Sequence, residues 1–80
     1  MNFKVLDENG NYVNCEIIYT FNNSNVNYII YTDGTKDSDG KLEVYASRYE
    51  LVDNNYVLKD IENDLEWDLV DMVLDKVLKK

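Results

Sequence analysis

The chain has no histidine, no proline, three glycines and one cysteine, Cys15, among its 80 residues. Without histidine no Cys–His or Ser–His pair can form, and the usual Cys/His ligand set for zinc cannot be assembled. One cysteine excludes a disulfide within the chain, and a single thiol fits a reducing compartment. Long apolar runs are missing too, so nothing matches the roughly 20 residues a membrane-spanning helix requires. The opening residues, MNFKVLDENG, lack the apolar core of a secretory signal, which makes the cytoplasm the expected location.

Positive charge is also scarce. Eight Lys and Arg stand against 16 Asp and Glu, a formal charge of -8. Such a chain repels phosphate backbones and anionic lipid surfaces, which removes nucleic acid and membrane from the expected partners. The acidity does not signal disorder, because 45% of the residues are apolar and they recur periodically.

A chain this short forms one domain, 1–80, and buries only roughly 60–65% of the surface its unfolded form exposes. Small domains often need a staple. With disulfides and zinc excluded, the remaining staple is association, either with a protein partner or with a second copy.

The apolar pattern divides the chain into short strands and one helix. An apolar run at 3–6 is followed by Asp7-Glu8-Asn9-Gly10-Asn11, where Asn-Gly is a strong hairpin signal. Residues 12–21 alternate, and the alternation assigns Val13, Cys15, Ile17, Tyr19 and Phe21 to the core. After the polar turn Asn22-Asn23-Ser24-Asn25, residues 26–33 are apolar on both faces, as in a central strand covered on both sides or half exposed at a patch. An acidic loop, 34–40, leads to a strand at 41–50, and a shorter strand is expected at 56–61.

From Asn63 onward the period becomes helical and no Gly or Pro interrupts it. Asn63 is a good N-cap, with Glu66 three residues on as a variant capping box. The apolar residues cover half the helix circumference or more, wider than one sheet contact requires. No repeat, low-complexity tract or linker is legible. The expected architecture is α+β: a four- or five-stranded antiparallel β-meander over 2–61, with one C-terminal helix, 63–79, packed on one face.

The segments YTDGTKD and VYASRY, with DENGN, CEIIYTF and the Trp-containing helix LEWDLVDMVL, resemble the YrzB-like family, domain of unknown function family 1292. The resemblance runs from about Asp7 to Leu78. It implies a stand-alone intracellular bacterial domain, and it brings no catalytic residue, cofactor or established partner.

Three groups of residues are candidates for chemistry. Asp33, Asp37 and Asp39, with Gly34 and Gly40, look like a calcium loop. Setting Gly40 at the sixth position of an EF-hand loop puts Thr35 first and Ala46 twelfth, where acids are required, so turn chemistry is the better reading. Tyr12, Tyr28 or Tyr31, Tyr45 and Tyr49, with Arg48, suit a docking face opposite the helix, against the ordinary preference of Tyr for half-wet strands. Trp67 near the helix start serves either as a partner anchor or as core packing. Cys15, on the core side and without a base, reads as a small buried residue.

No glycine-rich phosphate loop, nucleophile motif or metal cluster is present, so neither a cofactor nor catalysis is expected. The leading expectation is a protein-binding or regulatory module. The alternatives are an acidic mimic of nucleic acid that occupies a basic protein, and weak calcium binding at 33–40.

Overall fold

A computed structural model describes residues 4–78. The elements follow in the order β1 (Val5–Leu6), β2 (Glu16–Asn23), β3 (Val26–Thr32), β4 (Tyr45–Val52), β5 (Asn55–Lys59) and α1 (Asp64–Leu78). They form one five-stranded sheet of order β1-β5-β4-β3-β2 with a C-terminal helix, an α+β fold. The sheet start expected at 2 and the helix end expected at 79 lie outside the described residues.

From β2 to β5 the sheet is the expected antiparallel meander. β1 departs from it. Instead of forming a hairpin with β2, it pairs in parallel with β5, Val5 beside Tyr56 and Leu6 beside Val57, so β1 and β2 occupy opposite edges. The Asn-Gly signal does make a turn, but a small local one: Leu6 bridges Tyr12, and the Val13 N–H reaches the Val5 carbonyl at 2.7 Å.

The chain must then travel from one edge of the sheet to the other. In a flat sheet the edges would stand about 19 Å apart, four strand spacings. Val13 is held to Val5, and three residues, at most about 11 Å of chain, carry it to Glu16. The sheet is therefore rolled. The hollow side holds a cluster of Val5, Ile29 and Leu58, against which Val13, Cys15, Tyr31, Tyr49 and Tyr56 pack.

Strand alternation puts Tyr28, Ile30 and Thr32 on the opposite face of β3. Tyr28 is 3% exposed and Ile30 fully buried. The helix covers this face, since Glu66 on α1 accepts a hydrogen bond from the Tyr28 hydroxyl. Val70, one turn further along the same side of α1, has no exposed surface. The two-faced apolar pattern of β3 is thus satisfied by two different covers: the segment leading into β2 on one side and the helix on the other.

The expected core set on β2 is split by a β-bulge. Ile17 pairs with Tyr31 and Tyr19 with Ile30, leaving Ile18 as the extra residue. An extra residue shifts the alternation by one, so every side chain beyond it changes face. Val13 and Cys15 join the hollow-side cluster as expected, whereas Tyr19 and Phe21 share the helix-side face with Ile30 and Tyr28. Tyr19 keeps 46% of its surface exposed.

A repeat hidden in the sequence is plain in the geometry. Asp7 and Asp37 each accept, at one carboxylate oxygen, the N–H groups two and four residues on, all at 2.9 Å. In both turns the main chain closes the same loop, Gly10 to Asp7 and Gly40 to Asp37 at 3.0 Å. Val13 bonds to Val5 as Glu43 bonds to Thr35. Each turn then leads to a hairpin closed by a two-residue loop with both residues at positive φ: Ser24-Asn25 at 53° and 65°, Asp53-Asn54 at 52° and 67°. The offset between the halves falls from 30 residues at the aspartates to 29 at these loops, and Ile18 of the bulge accounts for the difference.

Gly10 and Gly40, at φ 85° and 80°, have no atom within 4 Å of a prospective Cβ. Gly10→Ala and Gly40→Ala are therefore expected to destabilise through backbone strain alone, by about 1–2 kcal/mol each and to the same extent. Urea denaturation of the two variants checks this, and a clear inequality would contradict the equivalence of the turns.

Candidate functional site

Glu66 is the point where helix and sheet meet. Asn63 caps α1 as expected: its Oδ1 accepts the Glu66 N–H at 2.8 Å. In return Glu66 Oε1 accepts from the Asn63 side-chain amide at 2.9 Å. Glu66 Oε2 faces the sheet, accepting the Tyr28 hydroxyl at 3.0 Å and lying 3.9 Å from Arg48 Nε. Arg48 also donates to the Asp60 carbonyl at 2.8 Å and approaches Glu62 at 3.4 Å. One guanidinium thus joins β4, the link into the helix and the helix's first turn. These acids also offset Lys59, which stands directly opposite Arg48 as a like charge. Burial, reinforced by the Glu66 carboxylate, raises the pKa of the Tyr28 hydroxyl.

This arrangement revises the expected docking face. Tyr28 has almost no surface to offer a partner, and Arg48 is engaged with Glu62 and Glu66, so both act within the fold. Tyr31, Tyr45 and Tyr49 do share the side of the sheet away from the helix, as their register places them. Tyr49 packs edge-on against Tyr56 at 5.1 Å, in the hollow-side core. Tyr45 lies tilted against Tyr31 at 5.7 Å and is partly open. Partial burial, then the Asp33 and Glu43 carboxylates, raise the pKa of the Tyr45 hydroxyl. Tyr12 is 64% exposed beyond the β1 edge, and Trp67 is 42% exposed on the helix. The candidates do not converge on one surface.

In the acidic loop, Asp33 and Asp37 each turn a carboxylate oxygen onto nearby backbone, Asp33 accepting from the Thr35 N–H and Asp37 from Asp39 and Lys41. Hydrogen bonds from Thr35 hold the Asp33 carboxyl below its ordinary pKa, as bonds from Asn11 do for Asp7. Among the described residues, no three of Cys, Asp and Glu gather closely enough to hold a metal ion. Burial, and secondarily Asp33, push the Cys15 thiol up, away from the reactive thiolate.

The outer face of the helix carries a pattern that the sequence reading passed over. Asp64, Asp68, Asp71 and Asp75 follow the spacing i, i+4, i+7, i+11, which stacks them in one stripe. All four are exposed, on the side opposite Glu66 and Val70. Leu65, 81% exposed, and Met72, 59% exposed, border the stripe on one side. Trp67, Leu74 and Leu78 border it on the other, where Asp71, Leu74, Asp75 and Leu78 line an open hollow of about 470 Å³. The spacing of the aspartates is present in the sequence, where the wide apolar face of the helix draws attention instead.

These features define a class: a small acidic α+β domain in which a single rolled sheet presents an acid-striped helix. The chain belongs to the family described as protein of unknown function DUF1292, whose model matches residues 8–79. It is 32% identical to a UPF0473 protein of Bacillus velezensis, covering 92% of this chain and 84% of that one. It is 31% identical to the UPF0473 protein YrzB of Bacillus subtilis, covering 96% and 87%. No solved structure matches it. Among the described residues, no helix is long and apolar enough to cross a membrane.

Tyr28→Phe is expected to lower stability by about 1 kcal/mol, and Glu66→Ala by about 2–3 kcal/mol, because the latter removes three partners. The double variant should lose less than the sum, which urea unfolding of all four proteins measures. Tyr28 also gives a pH signature. Its folded pKa is raised, so its contribution is complete below about pH 10 and is lost as pH climbs through the folded value. Tyr28→Phe should remove that part of the alkaline destabilisation.

Proposed function

We propose that this chain is a non-catalytic, protein-binding module whose docking element is the outer face of α1, and that its partner presents a basic surface with apolar borders. The observation that carries the reading is the exposed stripe Asp64, Asp68, Asp71 and Asp75 flanked by open apolar side chains. Aspartates three and four residues apart on a helix repel, at about 0.2–0.5 kcal/mol per pair. Asp64 in the first turn gains from the helix dipole, but Asp71 and Asp75 lie too far along the helix to do so. Their repulsion is uncompensated within the helix, and a cationic partner would relieve it. The hollow between Asp71, Leu74, Asp75 and Leu78 suits a Lys or Arg side chain, whose methylenes would lie on the leucines and whose charge would meet the carboxylates.

A second reading, an acidic stand-in for nucleic acid, draws on the same stripe. Magnitudes favour the first. The stripe carries one charge per roughly 5.5 Å of helix axis, whereas a DNA strand carries one per about 3.4 Å. The bordering Leu65 and Met72 also offer contacts that a phosphate backbone lacks.

Replacing the four aspartates by Asn halves the net charge, from -8 to -4, without changing side-chain size. The test is co-purification with endogenous tagged copies of both forms. A basic protein retained by the native chain, released by salt and lost with the variant is the expected result. Identical retention by the two forms, or none by the native chain, would overturn the reading. Displacement of the partner by DNA would favour the second reading.

A further inference from the structure

The two edges of the sheet are finished differently. At the β1 edge the chain folds back on itself, with Tyr12 bridging Leu6 and Val13 bonded to Val5. At the β2 edge, among the described residues, no strand lies beyond Glu16–Asn23. Natural sheets usually blunt such an edge with Lys, Pro, brevity or a bulge. The bulge of β2, at Ile18, leaves the stretch from Tyr19 to Asn23 regular. β2 is eight residues long, EIIYTFNN, and its one charge is Glu16 at the start.

The hairpin loop determines which main-chain groups face that open side. Ser24 and Asn25 form a two-residue loop with both φ values positive, so Asn23 and Val26 exchange both of their hydrogen bonds. Alternation then makes Phe21–Tyr28 and Tyr19–Ile30 bonded pairs, and Asn22–Asn27 and Thr20–Ile29 non-bonded ones. The 2.9 Å bond between the Asn22 and Asn27 side chains agrees, because side chains approach most closely in non-bonded pairs. The N–H and C=O groups of Thr20 and Asn22 therefore point away from β3, to the open side. Before Tyr19 the bulge ends this regular edge.

We propose that β2 is a homodimerisation edge: two copies pair antiparallel about a twofold axis at Phe21, Thr20 of each bonded to Asn22 of the other. The bulge on one side and the hairpin loop on the other select this register. An axis at Asn22 would set Thr20 against Ser24, which lies in the loop. An axis at Thr20 would require Ile18 as a partner for Asn22, and Ile18 is the bulged residue. An axis at Phe21 uses the outward groups of Thr20 and Asn22 in both copies and makes four main-chain bonds. Phe21 then faces its own mate as a close, non-bonded pair. Within one chain Phe21 already stacks on Tyr28 at 5.0 Å and 19°. The pairing extends that stack into a row of four rings across the axis, an arrangement favourable for aromatic cross-strand neighbours.

Charge leaves this place open to a second copy. Two chains of -8 repel over most of their surface, but the paired stretch from Tyr19 to Asn23 is neutral and Glu16 lies outside it. The register is also self-complementary, as a twofold interface requires. This edge is distinct from the acidic face of α1, and its test does not touch that face.

Hydrogen exchange of the unmodified protein, followed by NMR across a concentration series with sedimentation in parallel, is the direct test. The expected result is a shift from 9.4 kDa to twice that mass, with protection of the Thr20 and Asn22 amides rising in step. The Phe21 amide, bonded to β3, should be protected at every concentration. Thr20→Pro removes an outward N–H from each copy and no bond within the chain, and should weaken the dimer about 10–30-fold. A monomer at all concentrations would overturn the proposal. So would a dimer whose Thr20 and Asn22 amides exchange freely, or one that Thr20→Pro leaves intact. Protection of these amides only in the presence of another protein would assign the edge to a foreign strand, and also overturns it. If Thr20→Pro does not fold, exchange in the unmodified protein decides alone.

Discussion

Ile29 and Ile30 are neighbours in sequence, point to opposite faces of β3, and are both completely buried. The rest of the structure follows from that constraint. A strand buried on both faces needs two covers, and 80 residues leave little chain to supply them. One cover is the helix. The other is the sheet itself, rolled until residues 13–15, leading into β2, lie against the Val5–Ile29–Leu58 cluster. The unexpected parallel pairing of β1 with β5 belongs to the same solution, because it places Val5 in that cluster.

The helix-side cover depends on a polar contact as well as an apolar one. Glu66 simultaneously completes the N-cap, accepts from Tyr28 and faces Arg48. This fixes the rotation of α1 about its axis, and the rotation decides which residues face solvent. With Glu66 and Val70 turned inward, the aspartate stripe points outward by helical geometry. The width of the apolar helix surface, excessive for one sheet contact, is thereby explained in part: Leu65 and Met72 remain outside, on the border of the stripe.

Much of this was legible in the residues. The N-cap at Asn63, the length of α1 and the two-faced β3 follow from capping chemistry and periodicity, which act locally. The positive-φ loops at Ser24-Asn25 and Asp53-Asn54 lie in segments whose Asn and Asp content marks turns. The bulge at Ile18 was not legible, because three apolar residues in a row, Ile17-Ile18-Tyr19, fit either phase of alternation. Nor was the parallel partner of β1: two residues carry no directional signal, and the choice is made by tertiary packing. The duplicated turn-and-hairpin geometry escaped detection because few of its residues match, Asp7 with Asp37, Gly10 with Gly40 and Asn25 with Asn54 among them. These conserve the hydrogen bonds and positive φ values rather than a recognisable string. At the candidate site the same distinction applies. Tyr28 and Arg48 looked like surface residues because their covering element, α1, comes 38 residues after Tyr28.

The two-sided burial of β3 is tested most directly by methyl NOE spectroscopy in solution. Val70 methyl groups are expected to show cross-peaks to Ile30 and to the Tyr28 ring, and Val13 methyl groups to the Val5–Ile29–Leu58 cluster, with no cross-peak between Val70 and Ile29. Strong cross-peaks from Val70 to Ile29 would place the helix on the hollow side of the sheet and contradict the structure described.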